Sequence, residues 1–438
     1  MFTKRTVVVV TDENVKDSIS LILTMILGTC HMLPIPEMVK VLVSGIFLLY
    51  MVFLPSTKSI KYLMFMLSAN ELLDIGSTSL TMIFVALFSL KQWFLFVKQA
   101  EYSAGVFVSA LSLVLCGMVV YLLTGTKQAL VDAIKHIFFL FYTAKMLMES
   151  RGNWKQLYVE VFRYVALGTV FFTILSVMIY GFPSLSERFT PSYEITINFF
   201  GIVNALAIIN LLYGIMMFEA KVGVSFALIA GCGISGLLTQ SRTFILAVAI
   251  GVLLLLLFTS SLYKKLVFMY VGAFFFVVIV LVYASVPAVA DRIDSVLLRI
   301  LEPSGDDISN GRYDLWLSTI MTMTANPTYF WLGAGDFNTV GALDRGKVTV
   351  AHNMFLETWV IFGVVGCVLI VITYILYLRR YLFNTKRRRV QMVAFVPLII
   401  MLCSLFYSHH FIGRSMSIVF ALSFLPIAIG VKDEEGKY

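Results

Sequence analysis

The sequence contains few charged residues for its length. Of 438 residues, 33 are lysine or arginine and 25 are aspartate or glutamate, so that only 13% are charged while 60% are hydrophobic. An ordinary soluble domain is roughly a quarter charged. A chain this apolar, with a mean hydropathy of +0.92, could not cover its apolar surface in water. The composition therefore excludes a soluble globule and a disordered chain.

The sequence also lacks paired cysteines and recognisable metal motifs. Its five cysteines lie singly inside apolar segments, without the spacing of a disulfide framework or a metal cage. No D-x-D or H-E-x-x-H motif occurs in the most polar part of the chain. We therefore expect neither a metal nor another cofactor. The cysteines are Cys30, Cys116, Cys232, Cys367 and Cys403.

Long apolar runs fill most of the chain from residue 18 to residue 430. Runs of about 17–25 apolar residues can cross ~30 Å of hydrocarbon as helices, whereas barrel strands are short and alternate in hydrophobicity. The pattern predicts an all-α, polytopic helical membrane protein with about 12–14 transmembrane helices. The predicted spans are 18–34, 38–54, 60–75, 77–95, 103–123, 129–147, 157–181, 195–217, 221–239, 243–261, 265–284, 354–378, 391–408 and 412–430.

The third and fourth runs are the weakest spans, because Glu71 and Asp74 lie within the third. If this pair forms a re-entrant element instead of two helices, the number of spans falls to twelve. The first run follows a polar N-terminal segment without a small-residue cleavage pattern, so we expect it to be a retained helix.

Basic residues predict the orientation of the chain. The loop 379–389 reads RRYLFNTKRRR, and lysine and arginine near span ends stay in the cytoplasm. Counting spans from this loop places the C-terminus inside and the long segment 285–353 outside. The predicted organisation is a bundle of about eleven spans over 1–284, an extracytoplasmic loop over 285–353, and three spans with a short cytoplasmic tail over 354–438. The net charge of +8 fits lipid headgroups rather than nucleic acid.

The long external loop has helical periodicity in two places. Apolar residues recur at helical spacing from Val286 to Ile300, which predicts an amphipathic helix on the membrane surface. A second helix is predicted through Tyr313, Trp316 and Met323, after the turn residues 309–311.

Three polar clusters lie at predicted external positions. Gln240-Ser241-Arg242 joins two apolar spans, Gly311–Trp316 opens the second loop helix, and Ala351-His352-Asn353 precedes an apolar helix. Alone, each has a structural explanation, respectively an interface anchor, a solvated helix face and a helix cap. Together they suit a glycosyl diphosphate, because guanidinium groups match phosphate oxygens and a neutral imidazole can accept a proton from a hydroxyl.

Four motifs occur in this order, and together they resemble the bacterial O-antigen polymerase and O-antigen ligase superfamily. The specific resemblance covers about residues 240–366, while the first 240 residues are similar only in hydropathy. The motifs are S-R at 241–242, G-R-x-x-x-W at 311–316, N-P-x-x-x-x-L-G-x-G at 326–335 and H-N-x-x-L-E-x-x-x-x-x-G-x-x-G at 352–366.

The resemblance implies a membrane glycosyltransferase of the GT-C type, with undecaprenyl diphosphate as leaving group. It implies that Arg242 and Arg312 bind the donor diphosphate and that His352 is the catalytic base. The transfer would invert the anomeric centre without a metal. The enzyme would lie in the bacterial cytoplasmic (inner) membrane, with its active site on the periplasmic face and its C-terminus in the cytoplasm.

Six further polar residues are candidate substrate contacts or supports for the site. Each also has a structural alternative, such as anchoring a helix end, fixing the loop or capping its backbone. They are Asn353, Glu357, Asp336, His409, His410 and Arg414.

These residues leave three functions open. The leading one is a polymerase that joins repeat units of O-antigen, capsule or exopolysaccharide. The closest alternative is a ligase that transfers the finished glycan to lipid A–core or another final acceptor. A lipid-linked oligosaccharide flippase belongs to another class, and it would predict broken helices with midplane charges in two halves. Expected partners are the lipid-linked donor, a glycan or lipid-linked acceptor, the bilayer, a flippase and a chain-length regulator.

Overall fold

The structure is a computed structural model of the chain, and it describes most of the sequence. Seventeen helices, two short 3₁₀ turns and two small hairpins are found within the described part. The residues outside the description are 1–11, 71–72, 76–77, 100–102, 184–187, 193–194, 219–221, 286, 288–289, 292, 295–296, 299–311, 338–341, 345–346, 350, 384–389, 407–410 and 430–438.

The first eleven helices form most of the bundle. They are α1 (Asp12–Met32), α2 (Glu37–Phe53), α3 (Ser56–Phe65), α4 (Leu80–Gln99), α5 (Ala104–Thr124), α6 (Gln128–Glu149), α7 (Trp154–Tyr180), α8 (Ile197–Phe218), α9 (Val222–Leu238), α10 (Arg242–Phe258) and α11 (Leu262–Ser285).

The remaining helices carry most of the motif residues. They are α12 (Arg312–Ala325), α13 (Pro327–Leu332), α14 (Met354–Tyr381), α15 (Val396–Phe406), α16 (Met416–Ser423) and α17 (Leu425–Ile429). Two antiparallel hairpins complete the description, β1 (Asp74–Ile75) with β2 (Thr78–Ser79) and β3 (Ala342–Asp344) with β4 (Lys347–Thr349).

The architecture confirms a polytopic helical membrane protein. Within the described residues, α5, α7, α8 and α14 are long and apolar enough to cross a membrane, and several shorter helices are apolar as well. Helix α8 lies at the centre of the bundle, where it is almost wholly buried and packs against α7, α9 and α10. The predicted division of the chain at residues 284 and 353 remains a prediction.

The third predicted span is not a membrane-length helix. Helix α3 has 10 residues, or about 15 Å at 1.5 Å per residue, and the chain then turns through the 3₁₀ turn Leu67–Ala69 and the β1–β2 hairpin. Tyr62 and Phe65 are completely buried. Non-helical backbone at membrane depth is tolerated where protein surrounds it. The structure therefore favours the re-entrant alternative over a separate span at 60–75.

The last two predicted spans are broken. The span at 391–408 consists of a 3₁₀ turn, Met392–Phe395, followed by α15, and the span at 412–430 consists of α16 and α17. Pro397 and Pro426 lie in the first turns of α15 and α17, where the missing N–H group of proline is best tolerated. Proline in these positions explains why continuous apolar runs fold as short helices.

Candidate active site

The first motif forms the start of α10. Ser241 is the N-cap residue, and its Oγ accepts a hydrogen bond from the N–H of Phe244 at 3.4 Å. Gln240 precedes it with a φ of 52°, in the left-handed region that non-glycine residues seldom adopt. Arg242 is the first helical residue and is half-buried. The strained turn and the cap therefore fix the backbone on which this guanidinium is carried.

Arg188 is a second arginine at this helix start, and the sequence analysis missed it. Its Nη2 donates to Asn198 Oδ1 at 3.3 Å, and its Nε donates to the carbonyl of Thr239 at 3.3 Å. The hydroxyl of Ser241 donates to the same Asn198 oxygen at 3.4 Å. An arginine in a loop between two apolar spans carries no pattern that separates it from other loop charges, so only the fold reveals this connection.

The second motif opens α12 and is tied to the third cluster. Arg312 is the first residue of α12 and is half-buried. One turn further, the indole Nε1 of Trp316 donates to the carbonyl of Ala351 at 2.8 Å. The same indole packs edge-on against Phe406 at the end of α15, with ring centroids 5.3 Å apart. The structure thus brings the Arg312 turn against the residue that precedes His352.

His352 lies immediately before α14 in a strained conformation. Its φ is 48°, and Gln240 and His352 are the two non-glycine residues with positive φ in the described part of the chain. This conformation costs about 1–3 kcal/mol and persists only where the surroundings enforce it. Both residues directly precede the N-cap residue of a helix. Such strain is concentrated at functional sites, although it identifies no chemistry by itself.

Asn353 and Glu357 support the start of α14. Asn353 is buried, and its Oδ1 accepts hydrogen bonds from the N–H groups of Phe355 at 3.0 Å and Leu356 at 3.2 Å. Asn353 therefore caps α14, a structural role different from the predicted alternative of fixing the loop, and its contact with substrate remains a prediction. Glu357 is completely buried in the first turn, where a carboxylate interacts favourably with the helix dipole.

The glycines of the third and fourth motifs pack against each other. The Ala334 N–H donates to the Val360 carbonyl at 2.7 Å. A Cβ built on Gly333 would lie 2.7 Å from the amide nitrogen of Gly363, and both glycines have positive φ, 92° and 63°. Gly363 interrupts the regular geometry of α14 and kinks it. These motif residues serve the backbone contact that docks α13 on α14.

The remaining candidates are spread around this core. Asp336 is half-buried, and it follows Gly335, which packs against Thr126 just before α6. Arg414 is exposed on the turn between α15 and α16. His409 and His410 lie outside the described residues.

The arrangement places two arginines and a histidine at three helix starts. Arg242 and Arg312 begin α10 and α12, and His352 directly precedes the cap of α14. Helix α10 packs against α15, whose last residue, Phe406, contacts Trp316. A helix N-terminus presents N–H groups and roughly half a positive charge, which suits a phosphate group. Among the described residues, no group of three or more His, Cys, Asp and Glu side chains could hold a metal ion.

Comparison with known proteins gave a family match for the segment that contains these helix starts. A search of curated proteins and a search of solved structures each gave no match. Residues 225–371 match the family model Wzy_C, described as O-Antigen ligase. The match includes Arg242, Arg312 and His352. Over residues 225–371, about a third of the chain, this polytopic helical membrane protein is similar to the O-antigen ligase family, and this match supports the O-antigen polymerase and ligase superfamily.

Proposed function

We propose that this chain is a membrane glycosyltransferase that polymerises lipid-linked oligosaccharide repeat units, such as those of O-antigen, capsule or exopolysaccharide. An acceptor sugar hydroxyl attacks the anomeric carbon of a glycan carried on undecaprenyl diphosphate. The bond between that carbon and the diphosphate oxygen breaks, and the hydroxyl proton passes to the imidazole of His352. Attack opposite the leaving group inverts the anomeric centre.

The observation that supports this proposal best is the contact between α12 and the His352 segment. The hydrogen bond from Trp316 to Ala351 holds the residue before His352 against α12, one helical turn after Arg312. A base must come within about 3 Å of the proton that it takes, and the leaving diphosphate departs from the same carbon that the hydroxyl attacks. A reaction of this type therefore needs its base and its cation held close together.

The arginines supply the charge stabilisation. Arg312 and Arg242 bind the diphosphate bidentately and stabilise the negative charge that grows as it leaves, aided by the N-termini of α10 and α12. Arg188 adds a third guanidinium through its bond to Asn198. Because these cations do the work of a divalent metal, a chelator should leave the rate unchanged.

The remaining parts of the proposal concern location and partners. The enzyme lies in the bacterial inner membrane with this site on the periplasmic face and its C-terminus in the cytoplasm. The acceptor is a second lipid-linked glycan, supplied by a flippase and followed by a chain-length regulator.

A ligase is the second candidate, because the matching family model is described as an O-antigen ligase. The two activities share the donor and the base. They differ in the acceptor, which for a ligase is lipid A–core or another final acceptor.

The glycan profile of a strain that lacks this protein separates the two. Single repeat units on the final acceptor indicate a lost polymerase, whereas full-length chains left on the lipid carrier indicate a lost ligase. An unchanged profile would contradict both. Complementation with wild type should restore the pattern, and complementation with His352→Ala should not.

A further inference from the structure

The turn between α15 and α16 lies directly against the outer part of α6. Gly413 has a φ of +71°, and a Cβ built on it would lie 2.8 Å from the carbonyl oxygen of Asp132 and 3.0 Å from the Cβ of Lys135. Phe411 and Ile412 beside it are buried. Only glycine permits this approach, because any side chain would collide with the backbone of α6 and would also strain the turn.

This contact places Lys135 of α6 against the residue that precedes Arg414, so two cationic residues lie close together along the backbone. Arg414 is exposed, although Gly413 and Ser415 on either side of it are buried. Its backbone is fixed, since its N–H donates to Phe411 and its carbonyl accepts from Ser417, both at 3.0 Å. Lys135 on α6 is half-buried. In the described part of the protein, no ion pair is found for either Lys135 or Arg414.

The surroundings of the pair are polar and only partly satisfied. His136, next to Lys135, is completely buried, and neither of its ring nitrogens has a hydrogen-bond partner. The ring of Tyr374 on α14 is 5.4 Å from that imidazole, and its hydroxyl also has no partner. Asp132, one turn earlier on α6, is 7% exposed. Unsatisfied buried polar groups call for an explanation, such as a ligand or an ordered water.

The position of Lys135 along α6 is unusual for a positive charge. Lys135 lies seven residues after the start of α6, or about 10 Å along the helix, inside an apolar predicted span. Ionisable residues in such segments mark substrate pathways or binding sites by default. The start of α6 also adjoins the third motif, because Gly335 of that motif packs against Thr126. Lys135 therefore lies on a helix whose start contacts the third motif.

We propose that Lys135 and Arg414 form a second phosphate-binding site, which holds the lipid-linked phosphate of the acceptor while its sugar reaches His352. This inference rests on the proposed polymerase function, in which both substrates carry a lipid diphosphate. The reacting hydroxyl of the acceptor is several bonds from its phosphate, so the phosphate must be held away from the base. A ligase whose acceptor is not carried on this lipid has no need of a second such site.

Lipid binding by the full-length protein tests this proposal. The protein is placed in phosphatidylcholine nanodiscs, undecaprenyl phosphate is added as probe, and bound lipid is counted by native mass spectrometry. We expect wild type to bind two molecules, and the double variant Lys135→Gln/Arg414→Gln to bind one. Binding at the lost site should weaken by at least about tenfold, as expected when two charge-assisted contacts are removed. Lys127→Gln is the matched control, because Lys127 is an exposed lysine at the outer end of the same helix.

Two further measurements make the result decisive. Lys135→Arg/Arg414→Lys keeps both charges and should bind two molecules, which separates lost charge from misfolding. Phosphatidylglycerol at equal concentration should not displace the second molecule. Displacement would identify a general site for anionic lipids and would overturn the proposal, as would equal lipid counts for wild type and the glutamine variant.

A glycan profile distinguishes failure of this inference from failure of the proposed function. With the glutamine variant, we expect short chains while the Lys127→Gln control gives full-length chains. If the glutamine variant polymerises normally, the second site is refuted and the polymerase stands. If deletion of the whole protein leaves chain length unchanged, the proposed function itself fails.

Discussion

Replacing Trp316 with phenylalanine tests whether α12 holds His352 in place. The change keeps an aromatic ring against Phe406 but removes the indole N–H, which donates to Ala351 at 2.8 Å. Ala351 is 4% exposed, so its carbonyl would lose its partner in a nearly dry environment. An unsatisfied buried group costs about 1–3 kcal/mol. If most of this cost loosens the His352 backbone, the transfer rate should fall by about tenfold, since about 1.4 kcal/mol corresponds to one power of ten.

Trp359→Phe is a matched control for this prediction. Trp359 also donates its indole N–H to a backbone carbonyl, that of Phe330, at 3.1 Å, but this bond joins α13 to α14 beyond the His352 turn. Both variants should lower the thermal unfolding temperature by similar amounts. The rate of sugar transfer per molecule of purified protein should fall clearly more for Trp316→Phe. Equal rates for the two variants would refute a positioning role for Trp316.

Three further predictions concern the same site. Gly363→Ala should destabilise the protein by about 2 kcal/mol or more, because its φ is +63° and the Gly333 backbone is in contact. Gly45→Ala lies inside α2 with nothing within 4 Å of the added methyl, so it should unfold at the wild-type temperature or slightly above it, because alanine favours a helix. Equal melting temperatures for these two variants would contradict this prediction. Asn353→Ala should cost about 1 kcal/mol by loss of the α14 cap, whereas Asn353→Asp should retain the cap, as unfolding temperatures will show. Arg188→Ala should raise the donor KM more than Arg188→Lys does, and an unchanged KM would remove Arg188 from the site.

The sequence predicted the parts of this fold that depend on local pattern. The periodicity through Tyr313 and Trp316 predicted a helix there, and α12 spans both residues. The apolar runs predicted a helical membrane protein, which the structure confirms. Both follow from hydropathy and spacing, which act within a few residues of the chain.

Features that depend on distant contacts could not be predicted. The length of α3 depends on its burial, and Phe65 at its end packs against Gly168 of α7. The bond of Arg188 to Asn198 depends on how the loop before α8 folds back. The positive φ of His352 could not be predicted from the residue type, because histidine adopts this conformation more often than most residues but still only rarely. Each of these features depends on contacts in the folded protein, and each lies where two elements of secondary structure meet.

Some motif residues stabilise the local backbone structure, and others are candidates for catalysis or phosphate binding. The glycines at 333 and 363 and the side chain of Asn353 have structural partners that explain their residue types. The side chains of Arg242, Arg312 and His352 lie at helix starts, a position that by itself assigns no chemistry to them. Their catalytic and phosphate-binding roles therefore remain predictions.

The most direct test of the account is the activity of His352→Gly in a purified, reconstituted transfer reaction. Glycine accommodates the φ of 48° without strain, so this variant should keep the backbone of the turn while lacking the imidazole. We expect the rate to fall by about 10²–10⁴-fold, the usual contribution of general base catalysis, with donor binding unchanged and with partial recovery on adding free imidazole. A folded His352→Gly enzyme that transfers sugar at the wild-type rate would contradict the account.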